Sequence, residues 1–218
     1  NLDTALYNVY VTAIDTSNNE STPTSIFTAI PTLVNDDVFA EIRDKTLHIK
    51  TNAQMQQWID RLNDTVGIDP ESASYTNVTA LYNTVKIYNT VNYTMTRGIA
   101  IECSDLFTIE GVGKPKITTT AKGIWIKSRS IKWNGLDIEK TGTTPQEKGL
   151  YFFPDTIAND PQYTLSILNS SFYRADGAGA FFINSLFTYP KKVNAEIKNN
   201  LFSGVRLQYS YGYTAGYG

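Results

Sequence analysis

Five stretches decide the fold: Gly98-Ile-Ala-Ile, Gly123-Ile-Trp-Ile, Gly149-Leu-Tyr-Phe, Gly179-Ala-Phe-Phe and Gly204-Val-Arg-Leu. Each is a glycine followed by a short apolar run, and the intervals between the glycines are 25, 26, 30 and 25 residues. A propeller blade needs about 40 residues, and the asparagine within a leucine frame that marks a leucine-rich repeat is absent. The repeat therefore predicts a β solenoid.

A second apolar segment lies inside each repeat and ends on glycine or asparagine. The segments are FTIEG (107–111), IKWNG (131–135), LSILN (165–169) and AEIKN (195–199). Glycine and asparagine tolerate positive φ most readily, so we expect a sharp bend at their last positions, Gly111, Gly135, Asn169 and Asn199. Three residues past the last three bends, an apolar residue indicates a third strand: Ile138, Phe172 and Phe202.

Apolar columns are predicted for the interior, because side chains alternate between the two faces of a strand. The first strand supplies two columns: Ile99, Ile124, Leu150, Ala180 and Val205, and Ile101, Ile126, Phe152, Phe182 and Leu207. The second strand supplies Ile109, Trp133, Ile167 and Ile197.

Residues 85–218 resemble the pectate-lyase-like family, in which three short strands make each coil of about 25 residues. The resemblance implies a mainly β fold, a right-handed parallel β-helix. The polygalacturonase Gly-His-Gly and paired-aspartate motifs are missing, as is the arginine-proline signature of pectate lyases. These absences favour a non-catalytic protein.

An amphipathic helix is predicted ahead of the solenoid. Thr51 and Gln54 have the spacing of a capping box, and an apolar stripe follows at helical spacing: Met55, Trp58, Ile59 and Leu62. A solenoid exposes an apolar end that has to be covered, so we assign 47–97 to an N-terminal cap and first coil and 98–218 to further coils. The alternative is a partner-binding helix. No capping element is visible before Gly218, so we expect further coils or a partner at that end.

The first thirty residues are predicted to end a separate domain. Apolar residues alternate with polar ones from Tyr7 to Ala13, a polar turn follows at 15–19, and a second strand runs toward Phe27. The stretch resembles the last two strands of a fibronectin type III domain; the matching residues are Tyr7, Val9, Val11, Ala13, Asp15, Asn19, Ser21 and Pro23. The resemblance implies a β-sandwich remnant over 1–30, with 31–46 as linker. The alternative is a two-stranded extension docked on the β-helix.

Composition excludes several kinds of chemistry. A single cysteine, Cys103, allows no internal disulfide, and a single histidine, His48, allows no mechanism with two imidazoles; we expect His48 to be structural. The net charge of −2 gives no general attraction for nucleic acid. No apolar run approaches the roughly 18 residues of a membrane span, and the opening NLDTALYNVY is unlike a secretory signal. We expect no nucleic acid, no membrane span, no metal site and no cofactor, except Ca²⁺ if the protein is a lyase.

An aromatic ladder is the predicted carbohydrate-binding site. Trp125, Tyr151 and Phe181 should point outward from neighbouring strands, about 4.8 Å apart, and flat aromatic faces stack well on sugar rings. Insertions at 153–163 and 184–192 follow the same strand and flank the ladder. Alternatively, these loops pack over the aromatic side chains as a satellite core.

Three carboxylates are candidates for acid–base catalysis. Asp137 and Glu139 flank the inward-facing Ile138, so both should point outward, roughly 7 Å apart. That separation suits a carboxylate pair for glycoside hydrolysis. Asp176 lies one coil further on. Each is more often a solvated surface residue.

The two resemblances together lead us to expect a surface-displayed or virion-associated protein, an adhesin or a phage fibre or tailspike. It would bind polysaccharide or serve as a structural rod. Its partners would be a polysaccharide or cell-surface glycan and other subunits of an assembly, and its location would be extracellular, on a cell or virion surface. The alternative is a secreted polysaccharide lyase or glycoside hydrolase with its active site on the solenoid face.

Overall fold

The chain forms two compact units, Asn1–Asp36 and Asp37–Gly218. The computed structural model describes residues 7–9, 16–17, 19, 21, 27–29, 37–64, 73–120, 123–141, 147–154, 162–175, 181–187 and 192–211. In the first unit, β1 (Tyr7–Val9) pairs with β2 (Phe27–Ala29) in antiparallel register. The first unit thus contains a pair of strands, as the sequence predicts. The resemblance of this pair to a fibronectin type III domain stays a prediction.

The second unit begins inside the stretch predicted as a linker. Residues Val38–Glu41 form a 3-10 turn, which starts where the Asp37 side chain accepts a hydrogen bond from the Phe39 N–H at 3.0 Å. Val38 is fully buried, and its N–H donates to the side-chain oxygen of Gln57 at 3.0 Å. The sequence predicts a linker over 31–46. That prediction is wrong for residues 37–46, because this stretch packs into the second unit.

Parallel strands make up most of the second unit. In chain order they are β3 (Thr46–Ile49), β4 (Thr76–Asn77), β5 (Thr84–Tyr88), β6 (Asn92–Met95), β7 (Ile99–Val112), β8 (Lys116–Thr119), β9 (Ile124–Asn134), β10 (Asp137–Lys140), β11 (Glu147–Pro154), β12 (Gln162–Leu168), β13 (Ser171–Arg174), β14 (Phe181–Phe187), β15 (Lys192–Lys198), β16 (Leu201–Ser203) and β17 (Arg206–Tyr211).

Two sheets organise these strands. In the larger sheet the order is β3-β5-β7-β9-β11-β14-β17; in addition, β12 joins β9 to β15, and β4 pairs with β7. The smaller sheet has the order β6-β8-β10-β13-β16. Parallel neighbours that are separated by one repeat of the sequence make this a mainly β, parallel β-helix-like fold.

The column predicted for the second strand is present in register. Ile109, Trp133, Ile167 and Ile197 are successive cross-strand neighbours. In the smaller sheet Ile138 lies between Ile117 and Phe172, and Phe202 follows. Trp133, Ile167 and Phe172 are completely buried. Full burial of one large apolar side chain contributes about 1.5–3 kcal/mol, so these columns form the core of the unit.

Three of the four predicted bends have positive φ: Gly135 (74°), Asn169 (51°) and Asn199 (55°). Gly111 does not, because β7 continues to Val112 and the positive values fall on Gly113 (76°) and Lys114 (58°). The conformation predicted for Gly111 is therefore wrong. Close approach of two backbones requires a glycine there instead, since a Cβ atom would lie 2.1 Å from the carbonyl oxygen of Gly135.

The helix is present where the sequence predicts it. Helix α1 (Asn52–Asp60) has Thr51 as its N-cap, and the Thr51 hydroxyl accepts a hydrogen bond from the Gln54 N–H at 3.1 Å. The Gln54 side chain in turn accepts from the Lys50 N–H at 2.8 Å, one residue ahead of the N-cap.

The apolar stripe of α1 is buried: Met55, Trp58, Ile59 and Leu62 are at most 4% exposed. The helix contacts β3 and β6, which are the first strands of the ordered paths in the two sheets. The Trp58 indole N–H donates to the hydroxyl of the buried Tyr82 at 2.9 Å. The stripe therefore caps one end of the sheets, and it is not an exposed partner-binding face.

The register of the first strand holds for three repeats and then shifts. Ile99, Ile124 and Leu150 are successive neighbours, but Leu150 pairs with Ile183 and not with Ala180. An irregularity between Glu147 and Leu150 accompanies this change. A shift by an odd number of residues exchanges the two faces of a strand, so the first-strand columns predicted beyond the third repeat are wrong.

The same shift affects the neighbouring predictions. Phe152 pairs with Ser185 and not with Phe182, while Ile183 and not Phe182 lies opposite Leu207. Part of the second predicted insertion is also strand, since β14 extends to Phe187. Most of the first predicted insertion (155–161) lies outside the described residues.

Candidate functional site

The predicted carboxylate pair lies on the outward face of the smaller sheet. Ile138 is only 2% exposed, while Asp137 and Glu139 on either side of it are partly exposed on the opposite face. The alternation predicted for these three residues is therefore confirmed. Across the strands, Asp137 lies opposite Lys116, and Glu139 lies opposite Tyr173. A cation, a phenol and two carboxylates thus share one face.

Lys116 offsets the charge of one of the two carboxylates in this group. The Lys116 ammonium lies 2.7 Å from a carboxylate oxygen of Glu139. This hydrogen bond and the charge of Glu139 raise the pKa of Lys116, with smaller contributions in the same direction from Asp137 and Tyr173. One carboxylate oxygen of Asp137 is buried and has no hydrogen-bond partner among the described residues. The two carboxylates are therefore in different environments, one ion-paired and one partly desolvated.

The third candidate, Asp176, lies outside the described residues. The structure therefore gives no distance from Asp176 to Asp137 or Glu139, and the catalytic role of Asp176 stays a prediction.

Trp125 does not offer a face to solvent. It is 2% exposed and packs with the fully buried Ala100, and Ala73 and Tyr75 pack against this pair. The covering segment precedes β4, which pairs with β7 so that Thr76 lies opposite Ile101. The exposure predicted for Trp125 is therefore wrong. The alternative of a satellite core is correct for this side chain, with residues 73–75 in place of the inserted loops as the cover.

The ladder is also interrupted at its third member. Tyr151 lies opposite Trp125 on one side, as predicted, but opposite Asn184 on the other side. Phe181 pairs with Glu147, so it is not the neighbour of Tyr151. The side chains of Tyr151 and Phe181 are outside the described part of the chain. A continuous ladder of three aromatic residues is not present in this register.

Glutamate–lysine pairs are a feature that the sequence reasoning missed. Each of the five glutamates with a described side chain lies within 4 Å of a lysine: Glu41 with Lys50, Glu102 with Lys127, Glu110 with Lys86, Glu139 with Lys116 and Glu196 with Lys198. Two of these pairs join residues that are directly opposite each other on neighbouring strands, Lys86 with Glu110 and Glu102 with Lys127. The signal was available, because opposite charges recur one repeat apart in the sequence.

His48 lies on the outward side of β3, beside the capped end. Its Nδ1 is 3.0 Å from the hydroxyl of Tyr88. Burial lowers the pKa of His48, and the nearby charges of Lys50 and Lys86 lower it further. These contacts fit the structural role expected for His48, and they place it on the larger sheet, away from Asp137 and Glu139 on the smaller one.

Within the described part of the chain there is no group of three or more His, Cys, Asp and Glu side chains that could hold a metal ion. In that same part, no helix is both long enough and apolar enough to cross a membrane. Comparison with known proteins found no matching family model, no matching curated protein and no matching solved structure.

Proposed function

We propose that this chain is a non-catalytic structural module of a surface-displayed or virion-associated protein, located outside the cell. We further propose that the second unit is a right-handed parallel β-helix with three strands in each coil, and that it works as a rod. The stacking of its strands supports this proposal. Seven strands follow one another from β3 to β17 in the larger sheet, a height of about 29 Å at about 4.8 Å per strand.

The outward face supports a structural role over a catalytic one. The Glu139 carboxylate is engaged in a charge-assisted hydrogen bond to the Lys116 ammonium at 2.7 Å, so one of its oxygens is already occupied within the protein. The same pairing recurs along the larger sheet at Lys86–Glu110 and Lys127–Glu102. A repeated contact between neighbouring strands is typical of a stacked scaffold. Each exposed pair contributes only about 0–1 kcal/mol, so the apolar columns carry most of the stability.

Binding of a polysaccharide or cell-surface glycan remains part of the proposal only as a secondary property. The predicted ladder has its tryptophan buried under residues 73–75, so stacking of a sugar on Trp125 would require that segment to move. The proposed rod does not depend on this movement.

Small-angle X-ray scattering and a panel of polysaccharides test the proposal together. The scattering curve should fit a second unit in which the seven strands of the larger sheet stack to about 29 Å, and the protein leaves acidic and neutral polysaccharides uncleaved in a reducing-end assay and at 235 nm. The alternative is a polysaccharide lyase or glycoside hydrolase. Cleavage that is lost in Asp137→Asn or Glu139→Gln, but kept in the matched surface variant Glu110→Gln, would establish the alternative and overturn our proposal.

A further inference from the structure

Asn134 and Gly135 form the only Asn-Gly pair in the sequence. Such a pair is chemically labile, because the backbone nitrogen that follows an asparagine can attack the side-chain carbonyl carbon, and a glycine has no side chain to hinder the attack. Asn134 is the last residue of β9, and Gly135 is the bend that follows it, with a φ of 74°. The labile pair therefore lies where the chain turns from the larger sheet to the smaller one.

Both members of the pair have a structural role. A Cβ atom at Gly135 would lie 2.8 Å from the carbonyl oxygen of Gly111, and the positive φ disfavours other residues. The side-chain oxygen of Asn134 accepts a hydrogen bond from the Asn169 amide at 2.8 Å, and the side-chain oxygen of Asn169 accepts one from the Asn199 amide at 3.2 Å. The fold thus keeps a reactive dipeptide at the bend because the glycine relieves a backbone contact and the asparagine belongs to a side-chain ladder.

The folded structure holds the pair in an unreactive arrangement. The nucleophile would be the Gly135 nitrogen, and its N–H donates to the carbonyl oxygen of Leu168 at 3.0 Å. Closure of a five-membered ring also needs this nitrogen to eclipse Cβ of Asn134. The extended backbone of a parallel strand, with ψ of about +115°, turns the nitrogen away from Cβ. Attack therefore requires β9 to separate from β12 at this bend and Asn134 to leave its extended conformation.

We propose that Asn134 is a deamidation site which the folded structure protects, and that its reaction makes a local opening of β9 irreversible. In the open state the Gly135 nitrogen bonds to Cγ of Asn134, the Cγ–Nδ2 bond breaks, and ammonia leaves with the proton of the Gly135 amide. Water then cleaves one of the two C–N bonds of the cyclic imide. Cleavage at Cγ gives aspartate, whereas cleavage at the original peptide carbonyl gives isoaspartate, in which the chain passes through Cβ and Cγ.

Both products disturb the native arrangement, isoaspartate more than aspartate. Isoaspartate adds one carbon to the backbone between the fully buried Trp133 and Gly135, and the contact between Gly135 and Gly111 has no room for an added carbon. Aspartate places a carboxylate opposite Glu110, and like charges opposite each other on neighbouring strands are destabilising. The ion pair of Glu110 with Lys86 offsets part of that repulsion. Chemical modification of an open state is a common cause of irreversible unfolding, and isoaspartate would have this effect here.

Peptide mapping measures the reaction at this one residue. Trypsin releases residues 133–140, WNGLDIEK, in which Asn134 has the only amide side chain. The intact chain and the same chain unfolded in urea are incubated in mildly alkaline buffer, and conversion is followed by mass spectrometry. In urea we expect Asn134 to react faster than the other asparagines. In the folded chain we expect its conversion to be slower by about tenfold or more, since it proceeds only from the locally open state.

Hydrogen exchange of the Gly135 amide gives a stricter comparison, because the exchanging group is the nucleophile itself. Exchange needs only the hydrogen bond to Leu168 to break, whereas deamidation also needs Asn134 to leave the extended conformation. The folded structure should therefore slow deamidation at least as much as it slows exchange of this amide. Both rates are measured on the same folded sample and are divided by their values in urea.

The matched variant is Asn134→Gln, which keeps a side-chain amide but would have to close a less favourable six-membered ring. After long incubation in urea, the wild type should lose the ability to refold in proportion to its isoaspartate content, whereas Asn134→Gln should refold fully. Refolding is started by dilution and followed by tryptophan fluorescence. The isoaspartate form of the wild type, separated by chromatography, gives the same information without a variant.

Three results would overturn the proposal. The first is equal conversion of Asn134 in the folded chain and in urea. The second is deamidation that is slowed less than exchange of the Gly135 amide, and the third is complete refolding of the isoaspartate form. The inference is independent of the proposed function, which scattering and polysaccharide cleavage test separately.

Discussion

Replacing Gly111 by alanine should destabilise the second unit severely, although the backbone of Gly111 is not in the left-handed region. A Cβ atom there would lie 2.1 Å from the carbonyl oxygen of Gly135 and 2.8 Å from Cδ of Pro115. The Gly135 oxygen would have to retreat by about 0.9 Å to reach 3.0 Å, the lower limit of real Cβ contacts. Because the obstacle is backbone of the adjacent strand, no side-chain rotation can relieve it.

The magnitude follows from two contributions. Overpacking of a filled site costs about 1–3 kcal/mol, and separating β7 from β9 at this point loses one or two backbone hydrogen bonds at about 1 kcal/mol each. We therefore expect a loss of about 2–5 kcal/mol from the free energy of unfolding. The matched control is Gly113→Ala, where φ is +76° and the nearest atom, at 2.9 Å, belongs to the movable side chain of Asn89. Left-handed strain alone costs about 1–2 kcal/mol.

Guanidinium unfolding followed by tryptophan fluorescence measures both variants. All three tryptophans lie in the second unit, so the signal reports on that unit. The substitution Gly111→Asn sharpens the comparison, because asparagine occupies the equivalent position at Asn169 and Asn199 and would be harmless if Gly111 were a bend of the same kind. A smaller loss in Gly111→Ala or Gly111→Asn than in Gly113→Ala would refute the reasoning.

Arg97 donates to two carbonyls at the end of α1, one of them at 2.9 Å, so Arg97→Met should lower the free energy of unfolding by about 1.5–3 kcal/mol. Hydrogen exchange in α1 should become faster in that variant, and unchanged exchange would contradict the proposed cap. Burial raises the pKa of Tyr82 to about 12; the folded state then keeps a proton that the unfolded state releases near its ordinary pKa of about 10. Stability should fall as the pH rises from 10 to 12, by about 2–3 kcal/mol, and the fall attributable to this residue should be missing in Tyr82→Phe. The pKa of His48 is lowered, so below its ordinary value of about 6.5 the unfolded state binds the proton first and stability declines. An NMR titration of this single histidine with a midpoint at or above 6.5 would contradict that prediction, and His48→Gln should remove its share of the pH dependence.

Periodic features of the fold could be predicted from the sequence because they depend on local alternation. Ile109, Trp133 and Ile167 each lie two residues before the glycine or asparagine that ends the second segment of a repeat, and the structure stacks them as neighbours. Helix α1 could also be predicted from the sequence, since its N-cap and its apolar stripe lie within twelve residues of each other. Each of these signals is contained in a short window and is repeated.

The predictions that proved wrong, for the register after the third repeat, for Gly111 and for Trp125, depend on contacts between distant parts of the chain. Glycine spacing placed Ala180 beside Leu150, but the run around Ile183 offers another apolar register, and an irregularity in β11 selects it. Gly111 shows that a glycine required by a neighbouring backbone looks the same in the sequence as one required by its own φ. The cover over Trp125 comes from residues about fifty positions earlier, and no local pattern reports such a contact.

The parallel register has a consequence for how the protein is made. Ile117 pairs with Ile138, 21 positions later, whereas Leu47 pairs with Val85, 38 positions later. Each of these strands therefore closes a loop of modest length, and the nearly twofold difference between the two loops matters little because the entropy of loop closure changes only slowly with length. Synthesis at roughly 5–20 residues per second delivers one repeat every few seconds. We expect the chain to fold vectorially on the ribosome, starting from α1, and protease resistance of stalled nascent chains should increase in steps of one repeat.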